Sequence, residues 1–299
     1  MRAVISSAAA PRFGEFLCTP FGPGHGIWTV DLWITVPLAL SAALYGIGTV
    51  SLWRHAGVGR GIRTWQAGCY AAGWLVLGLA LVSPIHHWGA QLFTIHMVEH
   101  ELVMAIAAPL IVLARPGAAF VWALPPAARR WVGRALRRSG ARSCWAMLTR
   151  PGVATITHGV AIWAWHVPRL FEAARDDVPL HRLQHVSFLV TGLLFWWALV
   201  RRRHPGLAAA NLFATMLHTS ILGVLIALAP RVLYWSQTLD AVQWGLTPLQ
   251  DQQVAGLIMW IPAAAVYALA ALVFFAEWIR QSGLAASRAV ATGFFHAGD

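Results

Sequence analysis

Thirteen histidines stand in a chain of 299 residues that has only eleven acidic ones, and their spacing is the first chemistry the sequence offers. His96 and His100 are four apart, as are His181 and His185. On a helix, each pair shares one face with Cβ atoms about 6 Å apart, close enough to approach one ion together. His166 falls between the pairs in sequence. Neutral imidazole is a ligand for copper, zinc and iron, and thioethers add a preference for Cu(I), which draws attention to Met97 and Met104 beside the first pair. Glu99 and Glu101 are placed to fix imidazole tautomers, to bind a metal themselves, or to pair with Arg169 or Arg175. His86, His87 and Asp251 are further candidates at the edge of the same region.

The surroundings of these residues are unusual. The stretch from His86 to Arg115, HHWGAQLFTIHMVEHELVMAIAAPLIVLAR, is long and apolar enough to cross a bilayer, yet its first half is crowded with groups that are expensive in lipid. The whole chain is 58% hydrophobic and 11% charged, with a mean hydropathy of +0.61. That composition excludes a soluble domain of this size and predicts a polytopic membrane protein. Apolar runs of about twenty residues, rich in Ala and Leu, predict helices rather than the alternating strands of a barrel.

The expected fold is an all-α bundle of seven transmembrane helices over residues 29–280. The spans are placed at Thr29–Trp53, Thr64–Val82, Ala90–Leu113, Gly152–Val167, Val178–Val200, Gly206–Ala229 and Gln250–Ile279, the fourth being short. Residues 1–28 are read as an extracytoplasmic segment that stays attached, since they lack a convincing secretory h-region. Residues 281–299 are read as a cytoplasmic tail. All 22 basic residues are Arg; sixteen fall on one side of this topology and six on the other. The positive-inside rule then puts the N-terminus outside and the C-terminus in the cytoplasm. This distribution also accounts for the net charge of +11 without nucleic acid as a partner. The basic loop at 115–150 includes AARRWVGRALRRSGARSCWAML, which suits a helix lying on an anionic inner leaflet, with membrane lipids as its partner. Cys18, Cys69 and Cys144 are far apart and make no dithiol motif, so no disulfide within the chain is expected.

Orientation gathers the chemistry. His86 and His87 fall in an outer loop, His96 and His100 in the outer half of span three, His166 at the outer end of span four, and His181 and His185 at the start of span five. His158 lies about 12 Å deeper by helical rise, and His218 is mid-membrane. Asp251 sits at the outer end of span seven, either completing a polar cavity or capping its helix. A metal site at the outer face follows, with His96, His100, His166, His181 and His185 as its ligands.

Three other uses of the cluster differ in class. A metal-dependent membrane hydrolase, with zinc and with Glu99 or Glu101 as base, lacks the H-E-x-x-H spacing, since the sequence reads H-M-V-E-H. A haem-binding cytochrome needs one ligand on each face of the macrocycle. A metal-free assembly scaffold would use the histidines as contacts between helices.

The segments HMVEHELVMAIAAPLIVLARP, WHVPRLFEAA, LHRLQHVSFLVTGLLFWW and DQQVAGLIMWIPAAAVYALAAL, in this order across His86 to Ile279, resemble those of the CtaG-type cytochrome c oxidase assembly factors. The resemblance implies a multi-pass protein of the bacterial plasma membrane, not an enzyme, that helps mature a haem–copper oxidase. It also implies oxidase subunits and an extracytoplasmic copper donor as partners, copper as the cargo, and His96, His100, His166, His181 and His185 as ligands. In that comparison Glu99 and Glu101 replace an expected Gln and an aliphatic residue, which makes this site more acidic.

Overall fold

The computed structural model describes residue 28, residues 30–201 and residues 204–296, with side chains to residue 284 apart from that of residue 139. The proposed outer segment 1–28, with Cys18, lies outside the described residues apart from Trp28. Among the described residues the regular structure is helical throughout. The long helices are α1 (Leu32–Ala56), α2 (Thr64–Val82), α4 (Phe93–Leu113), α10 (Val178–Arg201), α11 (Pro205–Ala227) and α13 (Pro248–His296). These six are long and apolar enough to cross a membrane. The expected seventh, α8 (Pro151–Trp165), is 15 residues long, about 22 Å, and falls short of the roughly 30 Å hydrocarbon core. Pro151 starts it and the Val167-Pro168 step ends it.

α8 is nevertheless an integral part of the bundle. Hydrogen bonds from His158 to Thr191 and from Trp165 to Ser187 align it antiparallel to α10, while Thr155–Asn211 and Trp163–His218 align it parallel to α11. α11 and α13 cross at glycines: a Cβ on Gly256 would stand 2.5 Å from the Ala227 nitrogen, and one on Gly223 2.8 Å from the Gly256 carbonyl oxygen. Small residues at a crossing let two membrane helices bring their backbones together.

α4 is pinned at both ends by side chains from other helices. At its start, buried Asp251 of α13 accepts from the Phe93 and Thr94 backbone N–H groups and from the Thr94 hydroxyl, at 2.8, 3.0 and 2.7 Å. At its finish, Arg201, Gln66 and Tyr45 donate to the carbonyls of Val112, Leu113 and Ala114. Several of the orphan groups at each end of this helix are thus satisfied by side chains of other helices. Within α4, residues Leu102–Ala107 form a π-helical segment immediately after the histidine pair, and Trp196 donates to the Met104 carbonyl there. Such segments are frequent beside functional residues, because they turn the side chains on either side out of ordinary register.

Several expectations need correction. His86 and His87 are not in a loop but in α3 (Pro84–Gly89), whose first turn is capped by the Ser83 hydroxyl. The segment AARRWVGRALRRSGARSCWAML is not one surface helix but two, α6 (Pro126–Leu136) and α7 (Ser139–Leu148), and α5 (Pro116–Ala123) precedes them. Trp131 and Leu136 on α6 are 64% and 60% exposed among its arginines, the pattern of an interfacial helix. The segment from residue 281, expected as a cytoplasmic tail, is helical as far as His296, and this does not bear on its side of the membrane. At the other end of the bundle, α9 (Pro168–Asp176), α12 (Trp235–Thr238) and a 3-10 turn (Leu239–Trp244) lie over the histidines.

Candidate metal centre

Four helices supply the cluster: α3 brings His86, α4 His96 and His100, the end of α8 His166, and α10 His181 and His185. Among the described residues, the ligand atoms of His86, His181 and His185 all lie within 4.8 Å of one another. The Nε2 atoms of His181 and His185 are 3.1 Å apart. Two imidazoles on one tetrahedral ion, with metal–nitrogen bonds of about 2.0–2.1 Å, would hold their nitrogens about 3.3 Å apart, so this pair is already spaced as two ligands. His86 Nδ1 lies 2.7 Å from Glu99 Oε1, which is also 3.7 Å from His185 Nδ1. A buried carboxylate accepting from one ring nitrogen fixes the tautomer and turns the other toward an ion. Glu99, 1% exposed, therefore serves as an orienting acceptor for His86 and forms no pair with Arg169 or Arg175.

His96, His100 and His166 stand behind this triad. Ring centroids are 5.8 Å apart for His96 and His181, 5.2 Å for His100 and His185, and 6.3 Å for His100 and His166. His166 donates from Nδ1 to the Ile162 carbonyl at 2.7 Å, so its Nε2 carries the lone pair. Phe171 and Phe188 close on these rings, and Tyr234 fastens the cover by donating to the His166 carbonyl. Neither Tyr234 nor its role had a signal in the sequence, because it comes from an irregular connection.

The other candidates are placed elsewhere. His87 bonds to Gln91. Met97 and Met104 are fully packed in the apolar cluster with Phe93, Trp165 and Phe188. Glu101 Oε2 is buried with no hydrogen-bond partner in the protein, and Asp251 spends both carboxylate oxygens capping α4. Deeper in the bundle, His158 bonds to Thr191, and His218 accepts from Trp163. The site is thus an imidazole set with one orienting carboxylate, and the donor chemistry suits copper or zinc.

The triad also has an opening. A cavity of about 580 Å³ runs between α1, α2, α4 and α10, from Trp33, His86 and Arg182 at the histidine end to Phe120, Trp145 and Trp197 at the other. His181 and His185 line it as well, whereas His96, His100 and His166 do not. Its wall is otherwise apolar, and the Arg182–Asp31 ion pair, 2.8 Å, ties α10 to the start of α1 beside it. An ion on the triad would therefore face the side of the bundle.

A model of the cytochrome c oxidase caa3 assembly factor family matches residues 43–281. Uncharacterized proteins of Mycobacterium bovis and Mycobacterium tuberculosis are each 26% identical to the chain over 283 residues, and one of Mycobacterium leprae is 26% identical over 289. Each match covers 88% of this chain and 41% of the relative, so the chain spans about two fifths of the length of these curated relatives. No solved structure matches the chain.

Proposed function

Because the chain belongs to the cytochrome c oxidase caa3 assembly factor family, we propose that it is a multi-pass plasma-membrane protein that binds copper and delivers it to a haem–copper oxidase. The observation that carries this reading is the triad of His86, His181 and His185, with ligand atoms within 4.8 Å of one another and Glu99 orienting one ring. Copper is the cargo. The chain's own part is to strip the ion of water, hold it on imidazole nitrogens, and release it to a partner. The apolar cavity supports release sideways, toward a client subunit in the same membrane.

Seven crossings with the histidine end outside remain the topology that best fits. α4 runs away from that end and α10 starts at it, so the chain must return between them, and α8 is the helix available. Its flanks lie against α10 and α11, which lessens the penalty for its short length. Most arginines fall at the opposite end, as the positive-inside rule requires of the cytoplasmic side.

Hydrolysis with Glu99 as base is less well supported, because Glu99 is buried and already bonded to His86. Haem is also poorly served. The rings of His96, His100 and His185 are 4.3 to 6.1 Å apart at their centroids, which leaves no slot for a macrocycle between them.

Metal content of the purified protein tests the proposal. The wild type is expected to hold copper after loading, and the His181→Ala, His185→Ala double variant to lose the triad's ion and to fail to restore oxidase activity in a strain lacking the factor. Full oxidase activity with unchanged copper content in that variant would overturn it.

A further inference from the structure

The triad accounts for three histidines and leaves three others in place of ordinary core residues. His96, His100 and His166 are buried to 4%, 2% and 3% exposure, and His96 Nε2, both ring nitrogens of His100 and His166 Nε2 have no hydrogen-bond partner in the protein. A buried ring nitrogen left without a partner is destabilising relative to a bonded one. Leu or Phe would fill the same volume at no such cost, and Phe171, Phe188 and Trp165 beside them show that this region accepts large apolar side chains.

A four-coordinate ion held by His86, His181 and His185 has one position left and cannot also take these three histidines. His96 and His100 are 4.3 Å apart at their ring centroids, and His166 faces His100 from the end of another helix, with its tautomer set by Ile162 to present a lone pair. This second group lies away from the cavity, under Phe171 and Tyr234, whereas the triad lines it. Burial in a polar shell of imidazoles with apolar walls favours an ion that needs few ligands and little water.

We propose that His96, His100 and His166 form a second copper position behind the triad, so that the chain holds two ions, an accessible one on His86, His181 and His185 and an enclosed one on the inner three. The three inner side chains are neutral imidazoles, and the one buried carboxylate of the cluster, Glu99, is turned to His86 of the triad. That balance of charge suits Cu(I) better than a divalent ion in the inner position. The inference rests on the copper reading above, but it fails separately from it.

The test is a count of equivalents. The intact chain in detergent, under reducing conditions, is titrated with Cu(I) against a chromophoric chelator that competes for the ion. Two equivalents per chain are expected at saturation. One equivalent overturns the second position and leaves copper binding standing, whereas none overturns both. Paired variants then assign the positions. His100→Ala with His166→Ala and, separately, His181→Ala with His185→Ala should each retain one equivalent. Two equivalents retained in either variant, or both lost from a variant that melts like the wild type, overturns the division into two sets. The wild-type count needs no variant to fold.

Discussion

His86 and Glu99 meet at 2.7 Å between Nδ1 and Oε1, a contact between the short helix α3 and the middle of α4 in which both side chains are buried. It joins the one triad member outside α10 to the helix that carries the inner histidines. Replacing Glu99 by Gln keeps the shape of the side chain and removes the charge-assisted acceptor. Losing such an orienting partner typically costs 10–100-fold in metal affinity. Glu99→Gln should therefore weaken copper binding by about that factor in a competition titration, without changing the number of equivalents bound. An unchanged affinity would show that the carboxylate has no part in setting the ring.

Asp251 is the N-terminal cap of a helix to which it is not adjacent in sequence. It takes two backbone N–H groups and one hydroxyl of α4, at 0% exposure. Asp251→Ala leaves the Phe93 and Thr94 N–H groups without their acceptor, at a cost of about 1–3 kcal/mol or more, while the Thr94 hydroxyl keeps the Asp251 backbone carbonyl at 3.2 Å. Asp251→Asn retains one acceptor oxygen and should lose less. Melting temperatures in detergent should fall in the order wild type, Asn, Ala, and copper affinity should fall with them, because the capped turn leads directly to His96. Equal melting of all three proteins would contradict the capping role.

The membrane character, the helical class and most helix positions were legible in the sequence because they depend on local runs of apolar residues. Thr64–Val82 is placed to the residue, and Val178–Arg201 to within one. The short α3 was missed because Ser83-Pro84 reads as a helix stop. Here Ser is the N-cap and Pro the first helical residue of the next helix, a start signal at the same two positions. His96, His100, His166, His181 and His185 do converge with His86, as their spacing and level suggest. Their division into an open triad and an enclosed set was not legible, since it depends on which helices border the cavity. The capping by Asp251 was hidden for a related reason: its partners lie 157 and 158 residues away.

The crossing of α11 and α13 leaves no room for a side chain at Gly256, whose Cβ would meet backbone atoms of Ala227 and Gly223 at 2.5–2.9 Å. Backbone cannot move aside as a flexible side chain can. Gly256→Val should destabilise the protein by at least about 1–3 kcal/mol through overpacking, read as a lower melting temperature and reduced yield. Gly46→Ala is the matched control. Its Cβ meets nothing within 4 Å, and replacing a helical Gly favours the helix by up to about 1 kcal/mol. A protein indifferent to Gly256→Val would mean that the two helices do not cross at this point.

The orientation of the bundle has a direct readout in its own cysteines. Cys144 is exposed on α7, among the arginines expected in the cytoplasm, and Cys69 is half-buried in α2. Cys18 falls in the N-terminal segment expected outside. In whole cells, a membrane-impermeant thiol reagent should label a Cys69→Ser, Cys144→Ser protein, which retains Cys18. It should not label a Cys18→Ser, Cys69→Ser protein, which retains Cys144, until the membrane is permeabilised. The reverse pattern would put the arginine-rich loops outside and the histidine end in the cytoplasm. The copper site would then face a reducing compartment, and capture from an extracytoplasmic donor would be ruled out. Labelling of both proteins in intact cells would place Cys18 and Cys144 on the same side and so imply an even number of crossings between them. The expected pattern requires an odd number, as α1, α2 and α4 provide.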